Sequence, residues 1–191
     1  GTLQFTAGTP TSSTTMTMSY WVKRYTNGTS GGDNNIFVTG TGGASYLIVG
    51  FGSNYWQFQP YGGSWGAAGG ITMNVTALSR DISAWYHHVI RIDTTESTQA
   101  DRVRLYVNGE RVTDFSHEGV TGNLAEDEAL NYINESGVVQ AFGGLSGKGH
   151  GTEGADLQMA EIVFNDGQSY GPDSYGETKN GVWIPKDPSG L

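Results

Sequence analysis

The sequence predicts an all-β domain, a two-sheet antiparallel jelly-roll sandwich with little helix, and three observations carry that prediction. The first is composition: 30 glycines among 191 residues, with abundant Thr, Ser and Asn. Glycine is costly inside a helix, and the β-branched and aromatic residues that remain fit pleated surfaces. The second is a period of two in residues 16–22 and 102–108, which places apolar side chains on one face of each segment. The third is Asn108-Gly109 between two such runs, since both central residues of a type I′ hairpin turn need positive φ. Short apolar runs punctuated by glycine-rich turns complete the pattern.

In chain order, residues 16–22 (MTMSYWV) form the first firm strand, with Met16, Met18, Tyr20 and Val22 on one face and Thr17, Ser19, Trp21 and Lys23 on the other. A Gly/Asn loop over 27–35 separates it from a strand at 36–38. Residues 46–49 and 55–58 read as a strand pair, and 60–70 (PYGGSWGAAGG) as a glycine-rich loop carrying Tyr61 and Trp65. Residues 85–92 (WYHHVIRI) are apolar on both faces, as in the middle of a packed sheet. Residues 102–108 and 110–115 make the Asn-Gly hairpin, with Leu105 facing Val112. Residues 124–133 suit either a helical turn or an acidic loop. A strand opens at 140–142, a flexible stretch follows at 146–154, and 157–164 (LQMAEIVF) is the last long strand. One domain spans 1–169, and 170–191 is its extended C-terminal arm, rich in Gly, Pro and Tyr. That arm is too apolar for a solvated linker, which makes Tyr175, Trp183 and Ile184 candidates for docking onto a neighbouring subunit, with folding back onto the chain's own sandwich as the alternative.

Composition narrows the function classes. A chain of this length buries roughly 70% of its unfolded surface, so it needs no staple, and it has no cysteine at all. Disulfides, thiolate metal sites and a cysteine nucleophile are thereby excluded, which fits assembly in a reducing compartment. The formal charge is −9, with ten scattered Lys and Arg. Without a basic cluster to replace condensed counterions, nucleic acid is not an expected partner. No stretch approaches the roughly 20 apolar residues of a membrane helix. The missing initiator methionine and the ending Ser189-Gly190-Leu191 suggest a processed chain or a piece of a longer one.

Several segments taken together carry a resemblance: SYWVKRY, SAWYHHVIRIDTTESTQADRVRLYVNGERVTDF, LQMAEIVFNDGQSYGPDSYGET and GVWIPK. They resemble the laminin-G-like (concanavalin A-like) jelly-roll domains of tailed-bacteriophage virion structural proteins, over about residues 5–186. Trp85-Tyr86-His87, the hairpin at Asn108-Gly109 and Ala160-Glu161 are typical of the wider superfamily. Asp166-Gly167-Gln168, Gly176-Glu177-Thr178 and Gly181-Val182-Trp183 match the phage group. The resemblance implies a non-enzymatic virion surface protein, assembled in the host bacterial cytoplasm, whose partners are other virion subunits, a homo-oligomer on the particle among them. Its function would be that of a fibre or attachment domain recognising host surface glycans. The alternative is a decoration or cement protein that stabilises the phage head.

Within that frame, a glucanase would need two carboxylates about 5 Å apart. Glu161 and Asp166 are the nearest pair and do not have the Glu-x-Asp-x-(x)-Glu spacing, so no catalytic residue is expected. His87 and His88 are adjacent and point to opposite faces of a strand, so they cannot share a zinc ion. Calcium is a feature of laminin-G-like domains, and Asp33 with Glu126-Asp127-Glu128 could contribute, although solvated loops are favoured and no cofactor is expected. For carbohydrate, aromatic rings beside amides are the pattern to seek. Tyr55, Tyr61 and Trp65 with Gln57 are the candidates, while Trp56 and Phe58 share a strand face that reads as core.

Overall fold

The computed structural model describes residues 2–26, 34–42, 45–52, 55–61, 72–76, 79–115, 120–121, 124–144 and 155–191. Strands dominate: β1 (Leu3–Thr6), β2 (Thr15–Arg24), β3 (Asn34–Gly42), β4 (Ser45–Phe51), β5 (Tyr55–Tyr61), β6 (Thr72–Thr76) and β7 (Tyr86–Asp93). They are followed by β8 (Val103–Val107), β9 (Glu110–Arg111), β10 (Val120–Thr121), β11 (Val139–Phe142), β12 (Leu157–Asp166), β13 (Gly176–Lys179) and β14 (Val182–Pro185). One helical turn, α1 (Gln99–Arg102), precedes β8, and a 3-10 turn occupies Pro172–Ser174.

Two antiparallel sheets face each other. The larger runs β1-β11-β3-β4-β5-β6-β10, the smaller β12-β2-β7-β8-β9, and β13-β14 form a separate hairpin. The expected sandwich is therefore present. Met16, Met18, Tyr20 and Val22 of β2, with Ile90 and Ile92 of β7, meet Phe37, Leu47, Val49, Trp56 and Phe58 of the larger sheet in one core. Full burial of each aliphatic or Phe side chain contributes about 1.5–3 kcal/mol. Leu124, Leu130 and Ile133 also reach this core, from turns rather than from a helix.

The Asn108-Gly109 hairpin has the predicted register. Val107 pairs with Glu110 and Tyr106 with Arg111, and Val112 N–H donates to the Leu105 carbonyl at 2.9 Å. Asn108 has φ 49° and Gly109 φ 86°, both in the left-handed region that a type I′ turn requires.

Two sequence expectations need correcting. Trp85 lies just before β7 and is 39% exposed, so it is no part of the packed strand. Residues 170–191 are not an extended tail: they form the 3-10 turn and a hairpin whose two-residue loop, Asn180-Gly181, joins Lys179 to its partner Val182. Asn180 and Gly181 have φ 53° and 78°, a second turn of the same kind.

Candidate functional site

The C-terminal arm lies on the outer face of the smaller sheet, the face pointing away from the core. Cross-strand register puts Thr17, Ser19 and Trp21 of β2 beside Arg91, Val89 and His87 of β7 there. The Thr17 hydroxyl donates to the Gln168 carbonyl at 2.7 Å and accepts from Tyr170 N–H at 2.9 Å. Arg91 donates to the Ser169 hydroxyl, and the Tyr175 hydroxyl donates to Asn165 Oδ1 at 2.6 Å. Thr17, Ser19, Val89 and His87 are all buried as a result. This explains why β7 reads as apolar on both faces: one face meets the core and the other meets the arm.

Two of the arm's docking candidates pack on their own chain, in line with the self-packed alternative. Tyr175 is buried within its own chain, and Trp183 is stacked on His87 of its own β7, ring centroids 6.0 Å apart. An apolar arm recovers its burial wherever it finds an apolar face, and β2 and β7 supply one nearby. Ile184 is half-buried opposite Glu177.

His87 organises the site. Trp21 stacks on it at 5.0 Å with planes 20° apart. Trp183 Nε1–H, which can only donate, gives its hydrogen to His87 Nδ1 at 2.9 Å. Nδ1 is therefore unprotonated, and Nε2–H faces the Ser19 hydroxyl at 2.8 Å. Burial disfavours the imidazolium and pushes the His87 pKa down to about 4. Asn108 closes the arrangement from the hairpin turn: its N–H donates to the His87 carbonyl at 2.8 Å, and its Oδ1 accepts the His87 N–H at 2.9 Å.

A cleft of about 440 Å³ opens beside this stack, lined by Trp21, Trp85, Asn108, Thr178, Gly181, Val182 and Trp183. That volume falls within the roughly 300–1,000 Å³ typical of small-molecule sites. Three indoles thus share one concavity, and its rim is open at Trp85 and at Val182, which is 60% exposed. Trp183 is seated by close approaches: a Cβ on Gly109 would come within 2.7 Å of its ring, and one on Gly176 within 2.4 Å. Trp21 Nε1–H, buried beside the stack, has no hydrogen-bond partner among the described residues.

The candidates on β5 fare differently. Tyr55 and Gln57 share one face of the strand by alternation, opposite to Trp56 and Phe58, which are core as expected. Tyr55 is half-buried, but Gln57 is buried, with Nε2 unpartnered among the described residues, and lies opposite Gly50 on one side and Asn74 on the other. The side chain of Tyr61 and the whole of Trp65 lie outside the described residues, as does Asp33. Of the arm candidates, Trp183 alone enters the tryptophan cleft, and sequence reasoning missed Trp21, Trp85, Asn108 and Thr178 as its companions. The signal that could have found the hairpin was Asn180-Gly181, the same dipeptide that located the first turn.

Asp166 is engaged through both oxygens: Oδ2 accepts from Thr11 N–H and hydroxyl, each at 2.8 Å, and Oδ1 accepts from Asn134. Burial pushes its pKa up, but these hydrogen bonds outweigh it and hold the carboxyl below its ordinary value. Glu161 is exposed at a bulge in β12, with φ 49°. Among the described residues no three His, Asp or Glu side chains gather as a metal site would need. Glu126 pairs with Arg102 at 3.3 Å, and His88 faces the core, its Nε2 2.8 Å from the Ser79 hydroxyl.

A family model described as the concanavalin A-like lectin/glucanases superfamily matches residues 1–145. No curated protein sequence matches the chain. Among solved structures, the native heptameric SAP-like pentraxin from Limulus polyphemus is similar at TM-score 0.53 and 14% identity, covering 85% of this chain and 68% of its own. Domain 4 of AbnA, an extracellular arabinanase from Geobacillus stearothermophilus solved with arabinotriose, is similar at TM-score 0.51 and 15% identity, covering 83% of this chain and 64% of its own. At such identities the likeness is one of fold. The family match takes in both sheets except β12 and leaves the arm outside it. By that match over most of its length, the chain belongs to the concanavalin A-like lectin/glucanases superfamily.

Proposed function

We propose that this protein is a non-catalytic glycan-binding module that seats a sugar ring in the tryptophan cleft. The observation that carries the reading is the convergence of Trp21, Trp85 and Trp183 on one cleft beside Asn108 and Thr178. The C–H groups on one side of a pyranose make an apolar face that packs on an indole, and a few fixed polar groups then orient its hydroxyls. The lectin-like fold supports the reading, as does the arabinotriose bound to the arabinanase domain of similar fold. Asp166, held in structural hydrogen bonds through both oxygens, is a poor catalytic partner for Glu161, which supports the non-catalytic part.

The setting proposed is the virion surface of a tailed phage, in a fibre or attachment role. Its support is the resemblance of the tail segments, which turn out to build the arm: Gly176 and Trp183 are in close contact there. A capsid-decoration role would draw on another surface, the edge strand β1, where Leu3 is 59% and Phe5 40% exposed. The deciding experiment for the glycan reading is calorimetric titration against a panel of oligosaccharides, with Trp85→Ala as the variant. Trp85 is half-exposed, so its loss should abolish binding while leaving the thermal midpoint within a few degrees. Binding that survives Trp85→Ala unchanged would place the sugar elsewhere. Copy number in purified virions separates the settings: hundreds of copies indicate a capsid role, a few dozen at most a fibre.

A further inference from the structure

Resting on the reading of the cleft as a sugar site, we infer that its ligand is an electrically neutral saccharide. The described residues lining the cleft are Trp, Asn, Thr, Gly and Val, with no ionisable side chain among them. Alternation along β13 turns Glu177 and Lys179 to the face opposite Thr178. The nearest cation on the same sheet face is Lys23, two residues beyond Trp21; it is not part of the cleft lining, and its charge acts on the Asp81 carboxyl. Farther along that face, Arg91 pairs with Asp93 and Glu96, Arg104 with Glu96 and Asp101, and Arg111 with Asp101. Lys186 donates to the Asp173 carbonyl at 3.0 Å.

A carboxylate or sulfate entering this cleft would lose water and gain no counter-charge from the described lining, which is the costly case for burying an ion. It would also approach a chain of formal charge −9, which slows encounter at low salt. A cationic amino sugar fares no better, because the cleft lining offers no carboxylate. Hydroxyl groups suit what is there. Asn108 Oδ1 is already accepting the His87 N–H, so Asn108 offers a ligand its amide N–H donors, and Thr178 offers a hydroxyl that donates or accepts.

The test is calorimetry on the full chain with trisaccharides of matched length: cellotriose, maltotriose and xylotriose as neutral probes, trigalacturonate as the acidic one. At least one neutral trisaccharide is expected to bind at least tenfold more tightly than trigalacturonate at low and at physiological salt. Thr178→Lys, at an exposed position, is expected to raise trigalacturonate affinity at least fivefold. Trigalacturonate binding as tight as the best neutral probe, and lost in Trp85→Ala, would overturn neutrality while leaving the glycan reading standing. Absence of binding to all four sugars would overturn both.

Discussion

Two turns in this molecule share a dipeptide and a conformation yet differ in what surrounds them. Asn108-Gly109 joins β8 to β9 and Asn180-Gly181 joins β13 to β14, all four residues at positive φ. A Cβ at Gly109 would lie 2.7 Å from the Trp183 ring, whereas at Gly181 it would meet nothing within 4 Å among the described residues. Glycine is required at the first turn by backbone and by space, and at the second by backbone alone. The same local chemistry therefore has a tertiary role only where another part of the chain has come to rest on it.

The largest expected effect of breaking this contrast is at Gly109. Gly109→Val combines roughly 1–3 kcal/mol of strain at positive φ with displacement of Trp183, whose burial is worth about 2–3 kcal/mol. Chemical denaturation should show a loss of about 3–6 kcal/mol, and in a Trp183→Ala background the same substitution should cost only the strain. Equal costs in the two backgrounds would mean that the turn and the indole are uncoupled.

Acid should act where the arm rests on the first turn, through the His87 ring that Trp183 bonds. His87, bonded to Asn108 and Trp183, has its pKa depressed by burial to about 4 against about 6.5 unfolded, and His88, also depressed chiefly by burial, titrates near 3. As pH falls below about 6.5 the unfolded chain takes up protons that the folded chain refuses. The stability is thus complete above pH 6.5 and is lost progressively as pH falls toward 4 for His87 and 3 for His88, about 3 kcal/mol from His87 alone. Denaturation midpoints measured from pH 7 to 4 should fall less steeply in His87→Gln than in the native chain. The smallest effect is at the free turn: Gly181→Ala should cost about 1 kcal/mol of backbone strain and leave sugar binding intact, read by denaturation and titration together.

Most of the sandwich was legible because it is written in neighbours. Alternation located β2 and β8, and Asn108-Gly109 located a hairpin with the right cross-strand partners. The arm was harder: Asn180-Gly181 sits among Gly, Pro and Lys without an alternating run on each side, so its turn signal was masked by composition. The apolar content of 170–191 did report burial, but composition cannot say against which surface. The cleft was illegible for a stronger reason. Trp21, Trp85, Asn108 and Trp183 come from four separate segments, and only the pairing of β2 with β7 and the return of the arm bring them together. Gln57 shows the converse, a residue whose outward strand position was read correctly while its burial was not.

The placement of β2 sets the order in which this molecule can be built. Its inner face is part of the core, yet its edge partner β12 lies more than 130 residues downstream, and the arm that seals its outer face comes later still. Loop-closure entropy must be overcome before such distant contacts reward it, so folding should be slow for the chain's size. During synthesis, Trp21 and His87 emerge long before Trp183 exists to cover them. The smaller sheet therefore passes through a stage with one open edge and one bare apolar face, a stage in which association with other chains competes with completion.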